Sequence, residues 1–119
     1  MRNPRRGELY WVDFSPGRGS EQSGIRPALV LQNDIGNEHA PTTIIAVVST
    51  ALRPMPVHVT VEPGDLARGT NDTGLRAASQ IKLEQLQTID KERLRQRVGT
   101  LSEAKLREVE RALRISLAL

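Results

Sequence analysis

The apolar positions of this chain follow two different periods. Up to about residue 83 they fall in short runs or alternate, and beyond residue 100 they recur at helical steps. Thr42–Ser49 carries Ile44, Ile45, Val47 and Val48 in a nearly unbroken run, which predicts a strand covered on both faces near the centre of a sheet. Residues 57–62 alternate, with Val57, Val59 and Val61 on one face and His58 on the other, the pattern of a half-buried strand. Residues 8–14 are rich in β-formers and predict another. Pro27 cannot donate to a ladder, so it is expected at the start of a strand over residues 28–32. Residues 75–83 predict one more.

The connecting stretches are polar. Residues 1–6 read as a loose basic arm and residues 15–24 as a loop with three glycines. Residues 33–37 have turn chemistry, and residues 64–74 form a Gly-rich polar excursion. Residues 90–99 predict a short helix, with Asp90 as N-cap and Gly99 as its stop. In the last segment Leu106, Val109, Leu113 and Leu117 form one helical stripe. Thr100 and Ser102 are both N-cap candidates there, and Thr100 with Glu103 fits the capping-box spacing. Short strands followed by helix predict a single α+β domain, a small and strongly curved antiparallel sheet or barrel with a C-terminal α-helix.

Composition narrows the chemistry. With 119 residues the chain is one domain, and 38% hydrophobic content is lean for a monomeric core, so a second subunit is expected to supply part of the burial. There is no cysteine, which excludes disulfides, thiol nucleophiles and thiolate zinc sites. The longest apolar run, residues 44–48, is far short of the ~20 residues that span a bilayer. No apolar stretch follows the charged start, so neither a secretory signal nor a membrane partner is expected, and the cytoplasm is the expected location. The net charge of +3 permits a polyanionic partner without requiring one.

Nucleotide-binding and metalloprotease motifs are missing, and only His39 and His58 are present. Both read as solvated surface histidines, and no metal or other cofactor is expected. What remains is an arginine. Arg26 sits between the glycine loop and Pro27, which biases it to an extended backbone, and a guanidinium matches phosphate oxygens in pairs. Ser49 and Thr50, at the end of the apolar strand, could donate to the same phosphate. Glu84 and Gln85, read as following the last strand, offer groups for base edges. Each has a plainer reading as surface or turn. Leu9, Trp11 and Asp13 share one face of the first strand, and Tyr10, Val12 and Phe14 the other. Trp11 fits the core, and Phe14, at the mouth of the loop, fits either the core or a stacking platform for an unpaired base.

Blocks of sequence in a fixed order then point to a family. Gly7-Glu-Leu-Tyr-Trp-Val-Asp-Phe-Ser-Pro16, Gly19-Ser-Glu-Gln22, Gly24-Ile-Arg-Pro27 and Val30-Leu-Gln-Asn-Asp-Ile-Gly-Asn37 resemble the start of the MazF/PemK toxins of type II toxin–antitoxin systems. Leu83-Glu-Gln-Leu-Gln-Thr-Ile-Asp-Lys91 and Ile115-Ser-Leu-Ala-Leu119 resemble their tail. The resemblance implies the SH3-like barrel of CcdB, PemK and MazF toxins. It also implies a homodimeric, metal-independent endoribonuclease that cuts single-stranded RNA at short sequences. The 2′-hydroxyl attacks the adjacent phosphate, giving 2′,3′-cyclic phosphate and 5′-hydroxyl ends and stopping translation. An acidic segment of a cognate antitoxin covers the RNA groove. On this chain the catalytic positions of the family fall on Arg26 and Ser49, where Thr is the commoner residue. The RNA-binding positions fall on Phe14, Ser20, Glu21, Gln22, Asn33, Thr50, Glu84 and Gln85. Glu21 is also a candidate general base. Residues 62–74 are longer than in close relatives. Two other classes stay open: a CcdB-type gyrase poison on the same fold, whose C-terminal aromatic-Ile pattern this chain lacks, and a nucleic-acid-binding barrel without catalysis.

Overall fold

A computed structural model describes residues 3–15 and 24–119. The strands are β1 (Glu8–Asp13), β2 (Ile25–Val30), β3 (Thr42–Ser49), β4 (His58–Val61), β5 (Leu66–Ala67), β6 (Ser79–Asp90) and β7 (Leu94–Leu101). Helix α1 (Asp34–His39) follows β2, and α2 (Glu103–Leu117) closes the chain. The strands form one antiparallel sheet in the order β4-β6-β3-β2-β1-β7-β5, curled into a half-barrel. The α+β class and the C-terminal helix are as the sequence predicts.

β3 has the two covered faces its apolar run implies. Ala46 and Val48 enter one core with Leu9, Leu29, Val98 and Ile81, closed by Val109 and Ala112 of α2. Ile45 and Val47 enter a second core on the other face of the sheet, with Tyr10, Val12, Phe14, Ala28 and Val30. Ile89 and Leu94, where β6 turns into β7, close that second core. One strand serves both because its successive side chains point to opposite faces, and its partner β6 is bulged alongside it. Ala46 pairs with Leu86 while Val47 pairs with Lys82, so residues 83–85 oppose no residue of β3. Such an insertion bends a strand and increases its twist.

Several local expectations give way to this sheet. Residues 90–99 are not a helix. Asp90 does cap, its side chain accepting from the Glu92 amide, but only over the 3₁₀ turn Lys91–Arg93. The chain then enters β7. Leu94 and Val98 have helical spacing, yet two register shifts against β1 turn Leu94 into the second core and Val98 into the first. Pairing wins because β1 would otherwise be left as an open edge. Gly99 permits close approach rather than a stop, since a Cβ there would lie 3.1 Å from the Ala67 carbonyl oxygen. The predicted turn at 33–37 is α1, capped by Asn33, whose side chain accepts from the Gly36 amide.

The N-cap of α2 is Ser102, accepting from the Lys105 amide, and Thr100 belongs to β7. Leu117 of the predicted stripe is exposed. Residues 3–6 are not loose: Pro4 is buried, the Arg5 amide donates to Glu8, and Arg6 is paired with Glu110 at 2.8 Å. β2 begins two residues before Pro27. Its ladder with β3 covers only residues 28–30, so at 25–27 it is paired on the β1 side alone, and the missing proline donor costs no bond to β3. Among the described residues no helix is long and apolar enough to cross a membrane.

Candidate functional site

The divergence of β2 from β3 creates the site. Ala28 pairs with Val47, so the same register carried two residues outward sets Arg26 level with Ser49. No ladder joins them there, and a cavity of about 240 Å³ opens between the strand ends. Arg26, Ser49, Thr50 and Arg76 bring polar groups to it, and Trp11 and Leu75 contribute apolar walls. Its lining among the described residues contains no Asp, Glu or His. The Ser49 hydroxyl oxygen accepts from the Ala51 amide at 3.1 Å, and the hydroxyl keeps its own proton for donation. Ser49 also pairs with Gln80, and the Gln80 side chain accepts from the Arg53 amide at 2.7 Å, fixing the turn that follows β3.

Another wall comes from Leu75, Arg76 and Ala77, the segment between the polar excursion and β6. Thr73 and Gly74 donate their amides to Arg97 and Val98 of β7 at 3.1 and 2.7 Å. The Trp11 indole donates to the Thr73 hydroxyl at 2.8 Å. Deeper in the fold the excursion is tied by a buried ionic cluster. Arg97 donates to Asp72 and to Glu8, both at 2.8 Å, and the Tyr10 hydroxyl donates to Glu8 at 3.1 Å. The hydrogen bond from Arg97 is the main cause that holds the Asp72 carboxyl below its ordinary value. The two carboxylates in turn push the Arg97 guanidinium up.

Arg26, Ser49 and Thr50 are therefore brought together as the sequence suggested. Other predicted site residues are not. Phe14 is 6% exposed within the second core, so its ring has no free face on which to stack a base. Asn33 lies beyond the opposite end of β2 from Arg26, where its side chain caps α1. Glu84 and Gln85 do not follow the last strand; they lie in the bulge of β6, away from the cavity lining. Ser20, Glu21 and Gln22 fall outside the described residues.

His58 is not a solvated histidine: its side chain is 2% exposed. Its Nδ1 faces the Arg53 carbonyl oxygen at 2.7 Å and its Nε2 faces Glu84 at 2.8 Å. For the Glu84 carboxyl, burial acts to raise the pKa, and the His58 hydrogen bond and neighbouring charge outweigh it, so the net shift is downward. Arg76 is the cavity residue that sequence reasoning missed. No period marks it, and only the pairing of Ser49 with Gln80 brings its segment to the end of β3. Among the described residues no three His, Asp or Glu side chains gather as metal ligands.

Comparison with known proteins agrees over nearly the whole chain. The family described as PemK-like, MazF-like toxin of type II toxin–antitoxin system matches residues 5–117. Endoribonuclease MazF of Staphylococcus epidermidis is 43% identical over 117 residues, covering 97% of this chain and 92% of that protein. Among solved structures, MazF from Deinococcus radiodurans superposes with a TM-score of 0.77 at 22% identity, each chain covered in full (100%). An endoribonuclease in complex with its cognate antitoxin, from a mycobacterial species, superposes with a TM-score of 0.74 at 24% identity, covering 98% of this chain and 96% of that one. These structural likenesses establish the half-barrel and its helix as a fold shared with such toxins.

Proposed function

The chain belongs to the PemK-like, MazF-like family of type II toxins, and from that membership we propose that it is a sequence-specific endoribonuclease of single-stranded RNA, working without a metal at the Arg26–Ser49 cavity. The observation that carries the reading is that cavity. Two guanidinium groups (Arg26, Arg76) and three hydroxyl residues (Ser49, Thr50, Ser79) line one small space with no carboxylate among its described lining, which suits a phosphodiester.

The reaction that fits is transfer of the phosphoryl bond within the RNA strand. The 2′-oxygen bonds to the adjacent phosphorus, the bond from phosphorus to the 5′-oxygen breaks, and a 2′,3′-cyclic phosphate and a 5′-hydroxyl result. The 2′-hydroxyl proton leaves to a base, and the departing 5′-oxygen takes a proton from water. The described lining offers no imidazole or carboxylate as that base, and Glu21, outside the described residues, is our candidate. A guanidinium keeps its protons at neutral pH, so Arg26 acts as a fixed cation on the pentavalent phosphorus, with Ser49 and Thr50 as neutral donors. Messenger RNA is the substrate whose loss stops translation. Homodimerisation is part of the proposal, supported by the lean core, as is a cytoplasmic location. An acidic antitoxin segment across the groove is supported by the relatives solved with their antitoxins.

The test is incubation of long single-stranded RNA with the protein in EDTA and mapping of fragment ends. Cuts at one short sequence with cyclic-phosphate and 5′-hydroxyl ends are expected. Arg26→Ala should cut at least ~10²-fold more slowly while remaining folded, the usual effect of removing one preorganised donor. Cleavage near the unsubstituted rate by Arg26→Ala would refute the assignment. Intact RNA with gyrase trapped on DNA would move the protein to the poison class.

A further inference from the structure

We propose that Arg76 is a second cation of this site, one that positions the RNA strand by binding a phosphate next to the one that is cut. The inference rests on the ribonuclease reading above and concerns a residue that the resemblance does not mark.

Three observations support it. First, Arg76 lines the same cavity as Arg26, in the segment that leads into β6. Two guanidinium groups with no carboxylate among the described lining favour an anionic ligand such as an RNA strand. Second, Arg76 is exposed and makes no hydrogen bond or ion pair with any described residue. Arg5, Arg6, Arg93, Arg95 and Arg97, in contrast, are each engaged by a carboxylate or a backbone carbonyl. Among the described residues, then, no partner would have to release the Arg76 guanidinium for it to meet a ligand.

Third, its backbone is held from both sides. Thr73 and Gly74 are bonded to β7 on one side, Gln80 is paired with Ser49 on the other, and Leu75 packs against the first core. A held backbone lowers the ordering cost of using such a side chain. At about 240 Å³ the cavity is smaller than the ~300–1,000 Å³ that enclose a whole small ligand. One phosphate and its sugar can enter, and the strand must continue past the rim. Arg26 stands level with Ser49 at the strand gap, whereas Arg76 reaches the cavity from the segment that leads into β6, so the two cations come from different elements and suit neighbouring phosphates.

The test uses an RNA spanning a mapped cut site with a 2′-O-methyl group at that position, which binds but cannot react. Its affinity is measured between 50 and 200 mM salt for the unsubstituted protein, Arg76→Ala and Arg76→Lys. A single-strand contact contributes ~0.7 to the slope of log affinity against log salt. Arg76→Ala should lose about that much slope, bind about tenfold more weakly at low salt, and keep kcat within about threefold on cleavable RNA while KM rises. Arg76→Lys should restore the slope, since it restores the charge. An unchanged slope and KM in Arg76→Ala would overturn the inference. So would a fall in kcat as deep as that of Arg26→Ala, which would put Arg76 on the reacting phosphate itself. If the unsubstituted protein neither binds nor cuts RNA, the nuclease reading fails, whatever Arg76 does.

Discussion

Asp72→Asn tests the ionic cluster that ties the excursion to the sheet. The Asp72 side chain is 4% exposed and accepts two bonds, from Arg97 Nε at 2.8 Å and from the Gly69 amide at 2.6 Å. Asparagine keeps one acceptor oxygen, so one of those two donors would face an NH₂ group. The loss is one charge-assisted hydrogen bond, typically ~1.5–3 kcal/mol. Arg97 is 34% exposed, so water can take over part of that bond, and the expected cost falls to about 1–2 kcal/mol. For a domain of this size that lowers Tm by about 4–10 °C.

The pH dependence has a definite sign. The folded-state pKa of Asp72 lies below its ordinary value, chiefly because of the Arg97 hydrogen bond. Its contribution is complete above the unfolded value of ~3.9 and is lost as pH falls through the lower folded value. Melting curves of the two proteins should therefore differ fully at pH 7 and converge below about pH 4. Equal Tm at pH 7, or a gap as wide at pH 2 as at pH 7, would refute the reasoning.

Two further substitutions separate packing from function. Ser102→Ala removes the N-cap of α2 and should lower stability by about 1 kcal/mol, seen as a lower urea midpoint at unchanged slope. Phe14→Leu should leave a void in the second core and cost about 1–2 kcal/mol with RNA affinity unchanged; weaker RNA binding at undiminished stability would restore Phe14 as a stacking platform.

What could be read from the sequence was what local periodicity controls. β1, β3, β4 and α2 appear where the pattern puts them, because each keeps one period over most of its length. Residues 90–99 were misread because Leu94 and Val98 are four apart, and a strand with two register shifts can use that spacing as well as a helix can. His58 alternates outward from the valine face as predicted. It is nevertheless buried, because the bulge of β6 brings Glu84 over it, and a bulge has no signature in composition. Arg26 and Ser49 were legible through the Gly-Ile-Arg-Pro block and the end of the apolar strand. Their shared level in the sheet needed the register. Arg76 lay in a stretch with no period, and its place depends on a pairing across 31 residues of sequence, between Ser49 and Gln80.

The two cores lie on opposite faces of β1, β2 and β3. Neither can open by itself, since each of these strands is a wall of both. Amide protons of residues 28–30 and 45–48 should thus exchange with solvent only through whole-domain unfolding. Protection should drop abruptly at the Pro27–Ala28 bond, because residues 25–27 keep a ladder partner on one side only. Arg26 therefore stands two residues beyond the most rigid stretch of the molecule. Its backbone is held from the β1 side, while Ser49, paired with Gln80 of β6, is held from the other side of the sheet, so the two groups facing the gap are anchored by different strands.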